Sequence, residues 1–143
     1  MKMRKLTALV LSAALALGLC AMAPAAEHMS NFQKTASYTG QFKDVWSGAW
    51  YADSAKICYE YGLMQGTYGK FNPRGTVSVA EALTLSCRIH EVYNNGKSAV
   101  KSGSGANWYR PYVEYAVKEG LIQAGDFDDY TRAATRAEVA YLF

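Results

Sequence analysis

Residues 50–65 read WYADSAKICYEYGLMQ, and residues 108–123 read WYRPYVEYAVKEGLIQ. Both begin Trp-Tyr and end Gly-Leu-x-Gln, with twelve residues from Trp to Gly in each copy and an offset of 58 between them. With the offset eased by one residue, Ala80-Glu81 falls on Ala137-Glu138. Matched residue types at matched spacing mark an internal repeat. A chain of 143 residues accommodates one ordinary domain or a few units of this size.

Each copy reads as helix, loop, helix. In the second, Tyr112, Val113, Ala116, Val117 and Leu121 share one helical face; in the first, Ser54, Ala55, Cys58 and Tyr59 fill the matching positions. Pro111 is tolerated only in a first helical turn, and Gly62 and Gly120 stand where a helix C-terminus favours glycine. A longer helix begins near Ser78, and Ala82, Leu85, Ser86, Ile89, Val92 and Tyr93 fall along one amphipathic face. Ser78 with Glu81, and Thr135 with Glu138, have the S/T-x-x-E form of a capping box. Val139, Leu142 and Phe143 repeat the apolar face begun by Ala82, Leu85 and Ser86. The predicted fold is all-α, built from tandem helix-loop-helix repeats in a small bundle.

The flanks assign the charge. Lys2, Arg4 and Lys5 precede an apolar run from Leu6 to Met22, and Ala23-Pro24-Ala25 supplies an A-x-A cleavage pattern. Residues 1–25 therefore read as a secretory signal peptide, with no transmembrane anchor after cleavage. Its removal takes three bases and no acid, so the +3 of the whole chain becomes twelve basic against twelve acidic side chains. No Lys/Arg cluster remains to bind nucleic acid by counterion release. Residues 26–41 read as a flexible leader, 42–93 as the first repeat, 94–106 as a Gly/Ser/Asn linker and 107–143 as a second repeat truncated in its second helix. A passenger domain downstream is expected. Export permits a disulfide, but Cys58 and Cys87 alone make no framework, and both read as small packed residues.

Catalytic signatures are lacking. His28 and His90 have no accompanying nucleophile motif, and the acidic loop Asp126, Asp128, Asp129 lacks the spacing of a calcium loop. The expectation is no catalytic residue, no metal and no cofactor.

The spaced elements resemble S-layer homology repeats. That family shows an F-x-D-V opening, a Trp-led helix ending in Gly-Leu, an F-x-P loop and a T-R-A-E helix start. The first copy supplies Phe42-Lys43-Asp44-Val45, Trp50-Tyr51, Gly62-Leu63-Met64-Gln65-Gly66, Phe71-Asn72-Pro73 and Ser78-Val79-Ala80-Glu81; the second supplies Trp108-Tyr109, Gly120-Leu121-Ile122, Phe127 and Thr135-Arg136-Ala137-Glu138. Val79 stands in place of the motif Arg, and the second copy lacks both F-x-D-V and a Pro after Phe127.

The resemblance implies a pseudo-symmetric bundle of three repeats, two of them present here. It also implies non-covalent attachment of a secreted protein to the wall of mainly Gram-positive bacteria, at the S-layer surface. The partner implied is secondary cell-wall polysaccharide linked to peptidoglycan and often pyruvylated. The polysaccharide-binding candidates are Arg136, Thr135, Trp50, Trp108, Gly66, Asp44 and Arg74. Ser78, Glu81 and Glu138 are helix-capping. Trp50 and Trp108 read as interface packing or as sugar platforms, and Asp44 as a turn cap or a groove residue. Two alternatives stand beside this reading. One is the targeting fragment of an exported enzyme such as a wall or polysaccharide hydrolase; the other is a protein-protein assembly module.

Overall fold

The computed structural model describes residues 28–143; the expected signal peptide and the first leader residues lie outside them. The all-α expectation holds. Among the described residues four helices are bounded at both ends, α1 (Ala52–Glu60), α2 (Val79–Asn95), α3 (Arg110–Lys118) and α4 (Arg136–Leu142), with a 3₁₀ turn at Gly105–Asn107. Extended pairing among the described residues is limited to isolated bridges at Thr67–Lys70 and Ser78–Ala133.

α2 is the axis, and α3 and α4 pack against it. Val79, Leu83 and Cys87 of α2 meet Tyr112 and Ala116 of α3, Leu142 of α4, and Ile122 and Phe127 from the loop between them. Burying a side chain of leucine or tyrosine size contributes about 1.5–3 kcal/mol each, enough to order short helices that would not form alone.

This face is rotated from the one read off the sequence. Leu83 and Cys87 are fully buried, whereas Leu85 and Ile89 are only half-buried. In α3 the predicted Tyr112 and Ala116 are buried and the predicted Val117 is exposed, while beyond Gly120 it is Ile122 and not Leu121 that is fully buried. Helix α4 buries Leu142 but leaves Val139 and Phe143 exposed. Because α2 is covered from more than one side, its apolar arc is wider than a single stripe.

The ends of α1 and α3 have the same geometry. The carbonyl of Cys58 accepts from the N–H groups of Leu63 (2.9 Å) and Met64 (3.0 Å), and that of Ala116 from Leu121 (2.8 Å) and Ile122 (3.4 Å). Gly62 and Gly120 follow at φ +70° and +74°, left-handed values that close a helix.

Two segments read as loose are tied down. In the leader, Thr35 N–H (2.8 Å) and Ala36 N–H (3.2 Å) donate to the Glu60 carbonyl, Asn31 Nδ2 donates to the Tyr93 carbonyl (2.7 Å), and His28 stacks on Tyr93. In the linker, the carboxylate of Glu91, 3% exposed, accepts from Ser98 Oγ (2.7 Å), Ala99 N–H (2.9 Å) and Val100 N–H (3.1 Å). Each partner of the leader is distant in sequence, and composition carries no trace of it.

Glu91→Ala removes the buried carboxylate that accepts from Ser98 Oγ and from the N–H groups of exposed Ala99 and half-buried Val100. Such losses cost about 1–3 kcal/mol each. Urea unfolding of this variant is expected to show a loss of at least about 2 kcal/mol, much of it restored in Glu91→Gln, which keeps an acceptor. Equal losses in the two would mean that burial, not acceptance, matters.

Both described cysteines are free thiols, and no bridge joins them. Cys87 is packed, its Sγ donating to the Tyr112 carbonyl at 3.5 Å, while Cys58 is only half-buried. Burial pushes the Cys87 thiol up to about 12, with the Glu91 carboxylate adding to it, so it is an inert core group.

Candidate functional site: the paired helix starts

Ser78 and Thr135 are both extended (ψ 161° and 160°), and each caps its helix. Ser78 Oγ accepts from Glu81 N–H at 3.3 Å while Glu81 Oε2 takes the Ser78 N–H at 2.8 Å. Thr135 and Glu138 repeat this at 3.2 and 2.8 Å. The two starts are neighbours. Ala134 N–H donates to the Val77 carbonyl (2.8 Å), Val79 N–H to Arg132 (3.0 Å) and Ala80 N–H to Tyr130 (2.8 Å).

Those bonds separate the two sites. A helix start attracts anions through its unspent N–H groups and the positive end of its dipole. At α2 the first three N–H groups are spent, on the carbonyls of Arg132 and Tyr130 and on Ser78 Oγ. Val79 itself is fully buried, which explains why an apolar residue stands where the family motif has Arg. At α4 the N–H groups of Arg136 and Ala137 find no acceptor among the described residues, and only that of Glu138 is capped. Arg136 is exposed, and no hydrogen bond or ion pair holds its guanidinium among the described residues.

The acid of the same helix turn, Glu138, is taken. Arg132, not singled out in the sequence, clasps Glu138 with Nη1 on Oε2 (2.9 Å) and Nη2 on Oε1 (2.5 Å). Those bonds, with the Thr135 N–H, hold the Glu138 carboxyl down at about 2. Its ordinary value is 4.5, so the pairing is complete above that pH and lost as pH falls through about 2. Carboxyl NMR titration is expected to place Glu138 well below the other glutamates. In Arg132→Ala its midpoint moves upward toward 4.5. A midpoint of 4 or above in the unmodified protein would contradict the clasp.

The remaining candidates are distributed. Asp44 binds the loop ahead of α2, accepting from Phe71 N–H on Oδ1 (2.8 Å) and Asn72 N–H on Oδ2 (2.7 Å). The Phe71 bond first, then that from Asn72, keeps its carboxyl below the usual range. It is a loop clamp. Gly66 (φ +68°) is demanded by the fold, since a Cβ there would lie 2.4 Å from the Lys70 carbonyl and 2.6 Å from the Phe42 ring. Close approach at Gly66 is thus made by the protein's own backbone. Arg74 is exposed on the turn after Asn72, and no hydrogen bond or ion pair links it, Asp44 or Gly66 to Thr135 or Arg136 among the described residues.

The tryptophans diverge. Trp108 is half-buried, edge-on to Tyr112 and against the core, whereas Trp50 is 92% exposed. Trp46, also missed, is largely exposed and lies over Gly48, where an added Cβ would strike its ring. In the acidic loop, Asp126 accepts from Gln123 N–H and Tyr141 Oη, and Asp129 from Thr131, so these carboxylates cap their own turns. No cluster of metal-ligand type occurs among the described residues.

Residues 41–83 match the S-layer homology domain family. The chain is 27% identical over 118 residues to the exoglucanase XynX of Acetivibrio thermocellus, covering 76% of this chain and 11% of that protein. It is 28% identical over 118 residues to an amylopullulanase of Thermoanaerobacterium thermosulfurigenes, covering 76% of this chain and 6% of that one. It is 26% identical over 110 residues to the surface-layer 125 kDa protein of Lysinibacillus sphaericus, with 71% and 9% covered. The chain thus spans about a tenth or less of the length of these relatives. No solved structure matches it. Residues 41–83 are an S-layer homology domain. Domains of this class bind cell-wall polysaccharides in general, and the match supports a cell-surface location. No helix among the described residues is long and apolar enough to cross a membrane.

Proposed function

We propose that this chain holds a secreted protein to the bacterial wall through secondary cell-wall polysaccharide, with Arg136 gripping a carboxylate such as a pyruvate ketal. The observation that carries this reading is the open start of α4. Two unspent N–H groups, those of Arg136 and Ala137, and the unpaired, exposed Arg136 guanidinium belong to the same first turn, while Arg132 occupies Glu138. A guanidinium binds a carboxylate in a planar bidentate pair, and the helix start adds favourable dipoles. Such recognition of a single anion needs no net positive charge on residues 26–143. Thr135 positions Arg136 by capping the helix, and exposed Trp50 offers a face to a sugar ring.

In this reading residues 107–143 form a second repeat beside the first. Its loop closes the start of α2, so the first repeat contributes structure and the second the grip. The larger relatives bearing the names of polysaccharide-degrading enzymes favour a service role, in which this segment anchors an exported passenger.

The test is co-sedimentation with purified walls, native and stripped of secondary polysaccharide. Retention on native walls and its loss on stripped walls is expected. Equal retention on both would overturn the proposal.

A further inference from the structure

Away from the paired helix starts, the C-terminal half of α2, the segment following it and the end of α1 enclose a cleft of about 350 Å³. Arg88, Lys97 and Lys101 line it, beside polar groups of Gln65, Ser102 and Tyr112, and no Asp or Glu is among the lining residues. Residues 26–143 carry equal numbers of acids and bases, so three cations facing one cleft constitute a local field, not a share of a general excess.

The cations are placed by the fold. Arg88 donates from Nη1 to the Leu63 carbonyl (2.9 Å) and lies 5.9 Å from the centre of the Tyr112 ring. Glu91 fixes the backbone between the two lysines by accepting from Ser98, Ala99 and Val100. Neither lysine has an ion-pair or hydrogen-bond partner among the described residues. The Tyr112 hydroxyl at the same cleft has Arg88 Nη2, Ser102 Oγ and the Val100 carbonyl each at 3.4 Å. With Tyr112 1% exposed, this hydroxyl is a buried part of the cleft wall, and Gln65 and Ser102 are exposed polar groups there.

We infer that this cleft binds an anionic saccharide unit. Its carboxylate or phosphate sits between Lys97 and Lys101, and its hydroxyls meet Ser102 and Gln65. The saccharide class rests on the wall-polysaccharide reading; the anion requirement comes from the cleft itself. This contact is separate from Arg136. A competing role for the lysines is to complement the negative C-terminal end of α2, which would affect stability and bind nothing.

The test is NMR titration of the isotope-labelled exported chain with glucuronic acid, glucose 1-phosphate and neutral glucose at low ionic strength. Amide shifts are expected at Gln65 and across residues 97–102 with one or both acids and not with glucose. The double variant Lys97→Gln/Lys101→Gln should weaken binding on the order of tenfold, and added salt should weaken the unmodified protein. A response to the carboxylate alone identifies an acidic sugar, and to the phosphate alone a phosphodiester polymer; either supports the site. The inference is overturned by silence of these amides toward both acids at millimolar concentrations. It is equally overturned by an equal response to glucose, or by unchanged binding in the double variant. Wall co-sedimentation reports on Arg136 separately, so failure of one reading does not mimic failure of the other.

Discussion

Tyr112→Ala is expected to destabilise the protein by about 3–5 kcal/mol, a large part of the 5–15 kcal/mol typical of a small domain. The ring is 1% exposed and lies at the centre of the core formed by α2, α3 and α4. Trp108 meets it edge-on, and the Arg88 guanidinium lies over it. Truncation removes the buried ring and opens a cavity beside Leu83 and Ala116 that these short helices cannot readily close. Tyr112→Phe keeps the ring and removes only hydroxyl contacts of 3.4 Å, so its cost should stay at or below about 1 kcal/mol. Urea unfolding of the pair checks this. If the alanine variant lost no more than the phenylalanine variant, the core would have to be centred elsewhere.

Arg136→Ala should abolish most retention on native walls. Removing one member of a desolvated charge pair costs about 2–5 kcal/mol, which is roughly thirty- to several-thousandfold in affinity. The fold should be untouched, because Arg136 is exposed and makes no side-chain bond among the described residues. Arg74→Ala is the matched control. It removes an exposed guanidinium ahead of the closed start of α2, and retention should change less than twofold. Arg136→Lys sharpens the test, since an ammonium keeps the charge but not the planar two-point grip. Full retention in Arg136→Ala, or equal loss in Arg74→Ala, would remove the carboxylate grip from α4.

Local features were legible in advance because their causes are local. A capping box is written within four residues, and both boxes form as their sequences state. The helix ends at Gly62 and Gly120 likewise follow from neighbouring residues. The buried face of α2 was legible only in part. Periodicity gives the existence of an apolar side, not how many neighbours cover it, and covering by α3, α4 and the 130–134 loop shifts the centre to Leu83 and Cys87.

The site divides in the same way. Arg136 at a capped helix start could be named from Thr135-Arg136-Ala137-Glu138 alone. Its freedom could not, because that depends on Arg132 claiming Glu138 and on no acceptor reaching the first N–H groups of α4. Sequence leaves Asp44 open between a turn cap and a groove residue and offers Gly66 as a groove candidate, because a loop clamp and a glycine required by tight packing use the same residue types as a binding groove. The cationic cleft was invisible in sequence, with Arg88 and Lys101 thirteen positions apart and the intervening chain folded back by a buried carboxylate.

The sequence by itself determined an export-signal pattern, a helical period, two capped starts and the matched spacing that relates residues 50–65 to 108–123. Each of those is set by neighbours within a turn or two, or by counting. Only the tertiary structure decided which helix start stays open, which tryptophan reaches solvent and where unpaired positive charge collects. Those depend on which distant backbone groups spend each other's hydrogen bonds, and that is fixed only when the helices pack.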